Sequence, residues 1–350
     1  MRVLVFFARL GSQLLTLAAL LGLVGIWFVV QWEAPGPLLE DRTVVVPRGG
    51  VGQVAAFLAD EGIIGEARLF WLAARARESG RGLRAGEYLF PAGISVLETL
   101  ALLRSGKTVV RRFTVPEGLT VMAVVALLAE ETALSGLIDT VPAEGSLLPE
   151  TYHFSLGDDR NALLLRMQMA MQSTLDTLWA GRAPRLPLKT PEQALVLASV
   201  VEKETGLAHE RGRVAGVFIN RLNQGMKLQS DPTVAYALTL GVGSLERPLN
   251  RTDWKLDSPF NTYKVEGLPP SPIANPGRAA LEAVLHPESH DFLYFVADGS
   301  GGHAFARTLA EHNRHVAAWR QAQQPPPPLP SPPPQLPPQL PPQLPPQPPS

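Results

Sequence analysis

The chain has 350 residues, of which 45% are apolar and 18% charged, so it can bury a core and is not generally disordered. A formal net charge of −1 offers no global attraction for nucleic acid. Cysteine is absent, which excludes disulfides, thiolate metal sites and cysteine nucleophiles.

The first predicted element is a membrane helix over 14–32, LLTLAALLGLVGIWFVVQW, uncharged and long enough for a hydrocarbon core of ~30 Å. Arg2 and Arg9 precede it, and Glu33, Glu40 and Asp41 follow, so the positive-inside rule puts residues 1–13 in the cytoplasm and the rest outside. Trp27 and Trp32 suit the far interface. The competing reading is a cleaved signal peptide. The run is long for that, and Ala34-Pro-Gly is a poor cleavage site.

Three segments then share one pattern, beginning at Val46, Phe90 and Val115. Each has a short β-branched or aromatic stretch, a Pro-x-Gly turn and an apolar periodicity of helical type. The strands are expected at Thr43–Val46, Glu87–Phe90 and Phe113–Val115, with Ser95 or Thr120 capping the helix that follows. The pattern predicts a small α+β module over 37–110, with a further copy leading into the next domain. This module resembles the LysM-like domain of some cell-wall enzymes; glycan binding and a plain scaffold role both fit the pattern.

Residues 190–205, TPEQALVLASVVEKET, predict a helix capped by Thr190 with Pro191 in its first turn. Apolar positions cover nearly its whole circumference, leaving Ser199 and Lys203 as the polar gap, so the helix is expected to be buried. Glu202 and Glu204 both leave this helix. A buried carboxyl favours its neutral form, as a general acid requires. Spacing does not choose between the two glutamates, and on spacing alone a solvated helix end or pairing with Lys203 or Arg211 is the stronger reading. Further on, a helix breaks at Gly225, followed by polar, proline-containing loops at 228–233, 258–263 and 267–277 that suit a polyhydroxylated ligand. The histidines at 286, 290, 303, 312 and 315 lack tight ligand spacing, so no metal is expected; nor is there a nucleotide-binding glycine motif. Gly299–Gly302 reads as a hairpin turn. From Gln321 the chain is dominated by proline, with QLPP recurring, and a disordered polyproline tail is expected over 321–350.

The strings ASVVEKET (198–205), VAGVFINRLNQGMKLQSDPTVAYAL (214–238), SPFNTYKVEGLPPSPIANPG (258–277) and FLYFVADGSGGHAF (292–305) resemble the endolytic murein transglycosylase (YceG-like) family. The tail lies outside the family pattern. So do Leu148 and Glu150, where an aromatic and an aspartate are usual. The resemblance implies an α+β architecture: a transmembrane helix, the LysM-like domain over 37–110 and a mixed α/β catalytic domain over 111–320. It implies a single-pass inner-membrane enzyme, with its catalytic domain periplasmic, that cuts N-acetylmuramic acid–β-1,4–N-acetylglucosamine bonds within glycan strands to leave 1,6-anhydro ends. The family's catalytic glutamate maps onto Glu202. Gln229, Ser230, Asp231, Asn261 and Tyr263 are candidates for positioning sugars, and Glu204 and Glu150 for lining the cleft or supporting Glu202. For Asp231 helix capping, and for Asn261 a turn role, compete with sugar contact. No cofactor is implied. The implied partners are peptidoglycan strands and, through strand termination, peptidoglycan synthases. A hydrolytic muramidase using Asp231 or Glu204, and a non-catalytic peptidoglycan-binding scaffold, remain as alternatives.

Overall fold

A computed structural model describes residues 2–77 and 82–323, with residues 2–10 as backbone only. The predicted proline-rich tail lies outside the described residues from 324 onward. The structure is mixed α+β, and a division into two compact units falls between His290 and Asp291.

Helix α1 runs Arg2–Glu33, longer at both ends than the predicted span. Its stretch Gly11–Glu33 is long and apolar enough to cross a membrane, and that stretch is not buried within the protein. Trp32, at the end of this helix, is also tied into the fold. Its indole Nε1–H donates to the Leu69 carbonyl at 3.2 Å, and its ring packs on the first core.

That core belongs to β1 (Arg42–Val46), α2 (Val51–Asp60), α3 (Ala67–Ala76), β2 (Gly86–Phe90) and α4 (Val96–Ser105). β1 and β2 pair antiparallel, with Arg42 opposite Phe90 and Val46 opposite Gly86. The repeated strand–turn–helix units are therefore present, but the first contains an additional helix, α3, that the repeat did not reveal. Val46, Leu58, Phe70, Tyr88, Phe90 and Leu103 are almost fully buried between sheet and helices. Ser95 caps α4 reciprocally with Glu98, each side chain accepting the other's backbone N–H.

The third copy opens a second layer. Strand β3 (Arg111–Thr114) pairs antiparallel with β4 (Thr151–Phe154), and α5 (Val121–Glu130) and α6 (Arg160–Ala180) cover them over a core that includes Val124, Leu128, Leu147 and Leu163. Thr120 caps α5 by accepting the Ala123 N–H at 3.3 Å. Two of the three Pro-x-Gly glycines, Gly93 and Gly118, take positive φ.

Next comes α7 (Pro191–Glu204), capped by Thr190 with Pro191 in its first turn, as its sequence predicts. It is packed by α6, α8 (Ala208–Asn223), α9 (Asp231–Thr239) and α10 (Arg278–Leu285). The expected polar gap at Ser199 is closed. Ser199 is fully buried, donates to the Val196 carbonyl at 2.7 Å and accepts the Ile273 N–H at 3.0 Å. That bond ties the 267–277 loop to α7.

In the C-terminal unit, β5 (Tyr294–Ala297) and β6 (His303–Ala306) form the predicted hairpin. The Asp298 carboxylate accepts the Ser300 and Gly302 N–H groups in its turn. Helix α11 (Leu309–Ala322) follows, capped by Thr308, and the His312 ring stacks on Tyr294.

Ser199→Ala leaves the Ile273 N–H without its acceptor inside the core. The expected cost is about 1–3 kcal/mol of unfolding free energy, read from urea denaturation; an unchanged midpoint would contradict this role.

Candidate active site

The site is built at the C-terminal end of α7. Seven of the positions from Ala194 to Val201 are buried, so the helix is fixed before it reaches its glutamates. Glu202 remains inside this packing, with its side chain only 5% exposed. Its Oε2 accepts the Gly277 N–H at 2.9 Å, from the residue that caps α10. Its Oε1 lies 3.8 Å from Nη2 of Arg211, on α8. Burial pushes the Glu202 carboxyl above its ordinary range, and the nearby Glu117 carboxylate adds to this. The Gly277 hydrogen bond, Arg211 and Lys203 pull the other way without cancelling the rise.

Two loops hold this arrangement. Asn275, fully buried, accepts the Leu147 N–H and donates to the Leu119 carbonyl, each at 2.9 Å, while its own carbonyl accepts the Gly118 N–H. The third Pro-x-Gly turn is thereby pinned over Glu202. Lys203, exposed, donates to the Gly118 carbonyl at 3.1 Å. The absence of a Cβ at Gly277 leaves the space that the Glu117 carboxylate occupies. Glu117 and Gly277 carry no chemical signal of their own. Both lie inside turn strings, and only the folded chain places them beside Glu202.

Glu204, two residues on, has a different environment. Its Oε1 accepts the Ser230 hydroxyl at 2.5 Å. Ser230 is buried, and its N–H donates to Thr262 at 2.9 Å. The buried Arg221 guanidinium donates to the Leu228 carbonyl at 2.8 Å and to the Gln229 side-chain oxygen at 3.3 Å. Gln229 is exposed and holds a positive φ of 53°. Asp231 does not cap α9; Ser230 occupies that position, with no side-chain cap bond. The Asp231 Oδ1 instead accepts the Tyr263 hydroxyl at 2.6 Å and the Trp254 indole N–H at 3.0 Å. Burial, then the Asp231 bond, raises the Tyr263 hydroxyl above its usual range.

Among the sugar-contact candidates, Gln229, Ser230, Asp231, Asn261, Tyr263 and Glu204 thus come together in one network. Two of them are structural within it. Asn261 is 0% exposed, donates to the Trp254 and Leu256 carbonyls and accepts the Tyr263 N–H, so it shapes the 254–263 loop and has no free edge for a ligand. Ser230 is spent on Glu204 in the same way. Glu150 stands apart. It is exposed, its carbonyl accepts the Val115 N–H, and it is not among the groups acting on Glu202.

A groove of about 570 Å3 runs beside α9, lined by Thr120, Lys203, Asp231, Tyr236, Trp254 and Ile273 among others. Glu202 is not on its wall, but its neighbour Lys203 is. Trp254, which sequence reasoning did not single out, gives the groove an aromatic face next to an accepting carboxylate. Its ring is tilted 40° to that of Tyr263, with centroids 6.1 Å apart.

Because the folded state raises the proton affinity of Glu202, that group's stabilising contribution is complete below its unfolded pKa and is lost as pH rises through the folded value. Glu202→Gln is therefore expected to melt higher than the parent at pH 8, with the gain vanishing near pH 4. Equal melting at both pH values would contradict the strained carboxylate.

The family model described as the YceG-like family matches residues 44–318. A Bacillus subtilis relative named endolytic murein transglycosylase is 30% identical over 310 residues, covering 79% of this chain and 84% of the relative. A Streptococcus pneumoniae relative of the same name is 30% identical over 325 residues, and here the match covers 79% of this chain but only 58% of the relative. A solved structure of a yceG-like protein from Listeria monocytogenes matches 79% of this chain and 99% of its own, at 30% identity and a TM-score of 0.47. The chain belongs to the YceG-like family.

Proposed function

We propose that the chain is a membrane-anchored endolytic lytic transglycosylase of peptidoglycan, with Glu202 as its catalytic acid and base. The observation that carries this reading is the buried Glu202 carboxyl, held above its ordinary range within a YceG-like chain whose relatives bear the name endolytic murein transglycosylase.

In this reading neutral Glu202 gives its proton to the glycosidic oxygen as the bond from muramic acid C1 breaks. The C6 hydroxyl of the same sugar closes on C1, and its proton passes to the Glu202 carboxylate. The acid is restored, a 1,6-anhydro ring is left, and no water is consumed. A hydrolase ordinarily needs a second carboxyl group. The anhydro route needs none, because the C6 hydroxyl of the sugar takes the place of water. Gln229, Asp231, Tyr263 and Trp254 are then the groups that meet sugar, with Ser230, Asn261 and Glu204 fixing the loops that carry them. Glu150 is left as a peripheral residue on the β3–β4 edge.

The reading extends to organisation. The module over 37–110 is taken as LysM-like, which its β–α–α–β order supports, and 111–320 as the catalytic domain. The N-terminus is cytoplasmic and the catalytic part periplasmic. Peptidoglycan synthases are the partners that strand termination calls for.

The test is mass spectrometry of peptidoglycan digested by the parent and by Glu202→Gln. The parent is expected to release 1,6-anhydromuramyl ends, and the variant to do so at least about 100-fold more slowly. Reducing ends, or an undiminished variant, would overturn the assignment.

A further inference from the structure

Three charged side chains from separate elements meet at the end of α7. Glu117 comes from the turn before α5, Arg211 from α8 and Glu202 from α7 itself. Nη2 of Arg211 lies 3.8 Å from a carboxylate oxygen of each glutamate, beyond hydrogen-bond reach of both. Its Nε is buried with no hydrogen-bond partner among the described residues. The guanidinium is therefore locked to neither carboxylate and acts on both through space. Exposure falls steeply across the group: 46% for the Glu117 side chain, 10% for Arg211 and 5% for Glu202. The missing side chain of Gly277 is what lets Glu117 lie there.

We propose that Glu117 and Arg211 are positioning residues for Glu202. The outer carboxylate partly balances the guanidinium, so the inner carboxyl can keep a proton before the reaction and still be stabilised as an anion during it. This rests on the reading of Glu202 as the acid.

A lone cation this close to a carboxyl favours its ionised form, commonly by about 1–3 pH units, and an acid already ionised has no proton to give. A buried carboxyl with no cation nearby keeps its proton too firmly and makes a poor anion when it loses it. A half-exposed carboxylate on the far side of the cation moderates its pull without removing it. The other groups facing Glu202 are Lys203, from its own helix, and the Gly277 N–H at the start of α10. Helices α6 and α9 also pack on α7, and neither brings a charged group to bear on Glu202.

The test is the pH dependence of kcat/KM for release of anhydro ends by the full-length protein in detergent. The alkaline limb reports loss of the acid's proton. Glu117→Gln leaves Arg211 unopposed, so its limb is expected to move down by about one pH unit. Arg211→Gln leaves Glu117 unopposed, so its limb is expected to move up by about as much, with a plateau at least about tenfold lower. Arg211→Lys should keep the limb close to the parent's. A merely structural role would lower activity without moving the two limbs in opposite directions. Unmoved limbs, or uniform loss at every pH in Glu117→Gln with unchanged melting, would overturn the proposal. If Arg211→Gln does not fold, Glu117→Gln decides alone, because its side chain is half exposed. Glu202→Gln is run alongside. If it stays active, the reading of Glu202 itself falls; if it is inactive while the limbs stay put, only the positioning role falls.

Discussion

The hydrogen bond from the Gly277 N–H to Glu202 joins the two halves of the site, and much of the surrounding structure serves to keep it in place. Glu202 leaves a helix that is buried on nearly every side, so its carboxyl cannot swing out to water without unpacking α7. The 267–277 loop must then come to the carboxyl. Ser199 holds that loop at Ile273, Asn275 holds it to the third Pro-x-Gly turn, and Gly277 ends it at the cap of α10. Each tie is a buried polar group meeting another, which is the form in which such groups are tolerated in a core.

The two glutamates at the end of α7 show how environment divides labour between identical side chains. Glu202 meets one backbone donor, a guanidinium 3.8 Å away and the Glu117 carboxylate, and burial favours its neutral form. Glu204 meets a short hydroxyl hydrogen bond from Ser230 and belongs to the network that shapes the 229–231 and 254–263 loops. The groove beside α9 gains its aromatic and accepting character from that second network, through Trp254, Tyr263 and Asp231. One carboxyl is therefore buried and held in its neutral form, as the proposed acid needs, and the other is taken up in the loop network, although they stand two residues apart.

Much of this was legible in the chain because it is written locally. Thr190, Pro191 and the apolar circumference of α7 foretold a capped, buried helix. Ser95 and Thr120 foretold caps, and Gly299–Gly302 a hairpin turn. What escaped was long-range. β4 has only four residues and acquires its identity from pairing with β3. Helix α3 lies between two repeat copies and shares no pattern with them. Glu117 and Gly277 look like turn residues until the fold brings 117, 202, 211 and 277 together. Asn261 and Ser230 have the right chemistry for sugars but are consumed by their own loops, and residue type alone does not reveal whether a polar group is already satisfied.

The central claim is that one buried carboxyl, acting first as acid and then as base, lets the sugar's own hydroxyl replace water. Digestion of peptidoglycan in 18O-enriched water tests it most directly. New muramyl ends free of 18O, lighter by one water than hydrolytic ends, are expected. Incorporation of 18O at the new C1 ends would contradict it, and would require a second group in the site to activate water.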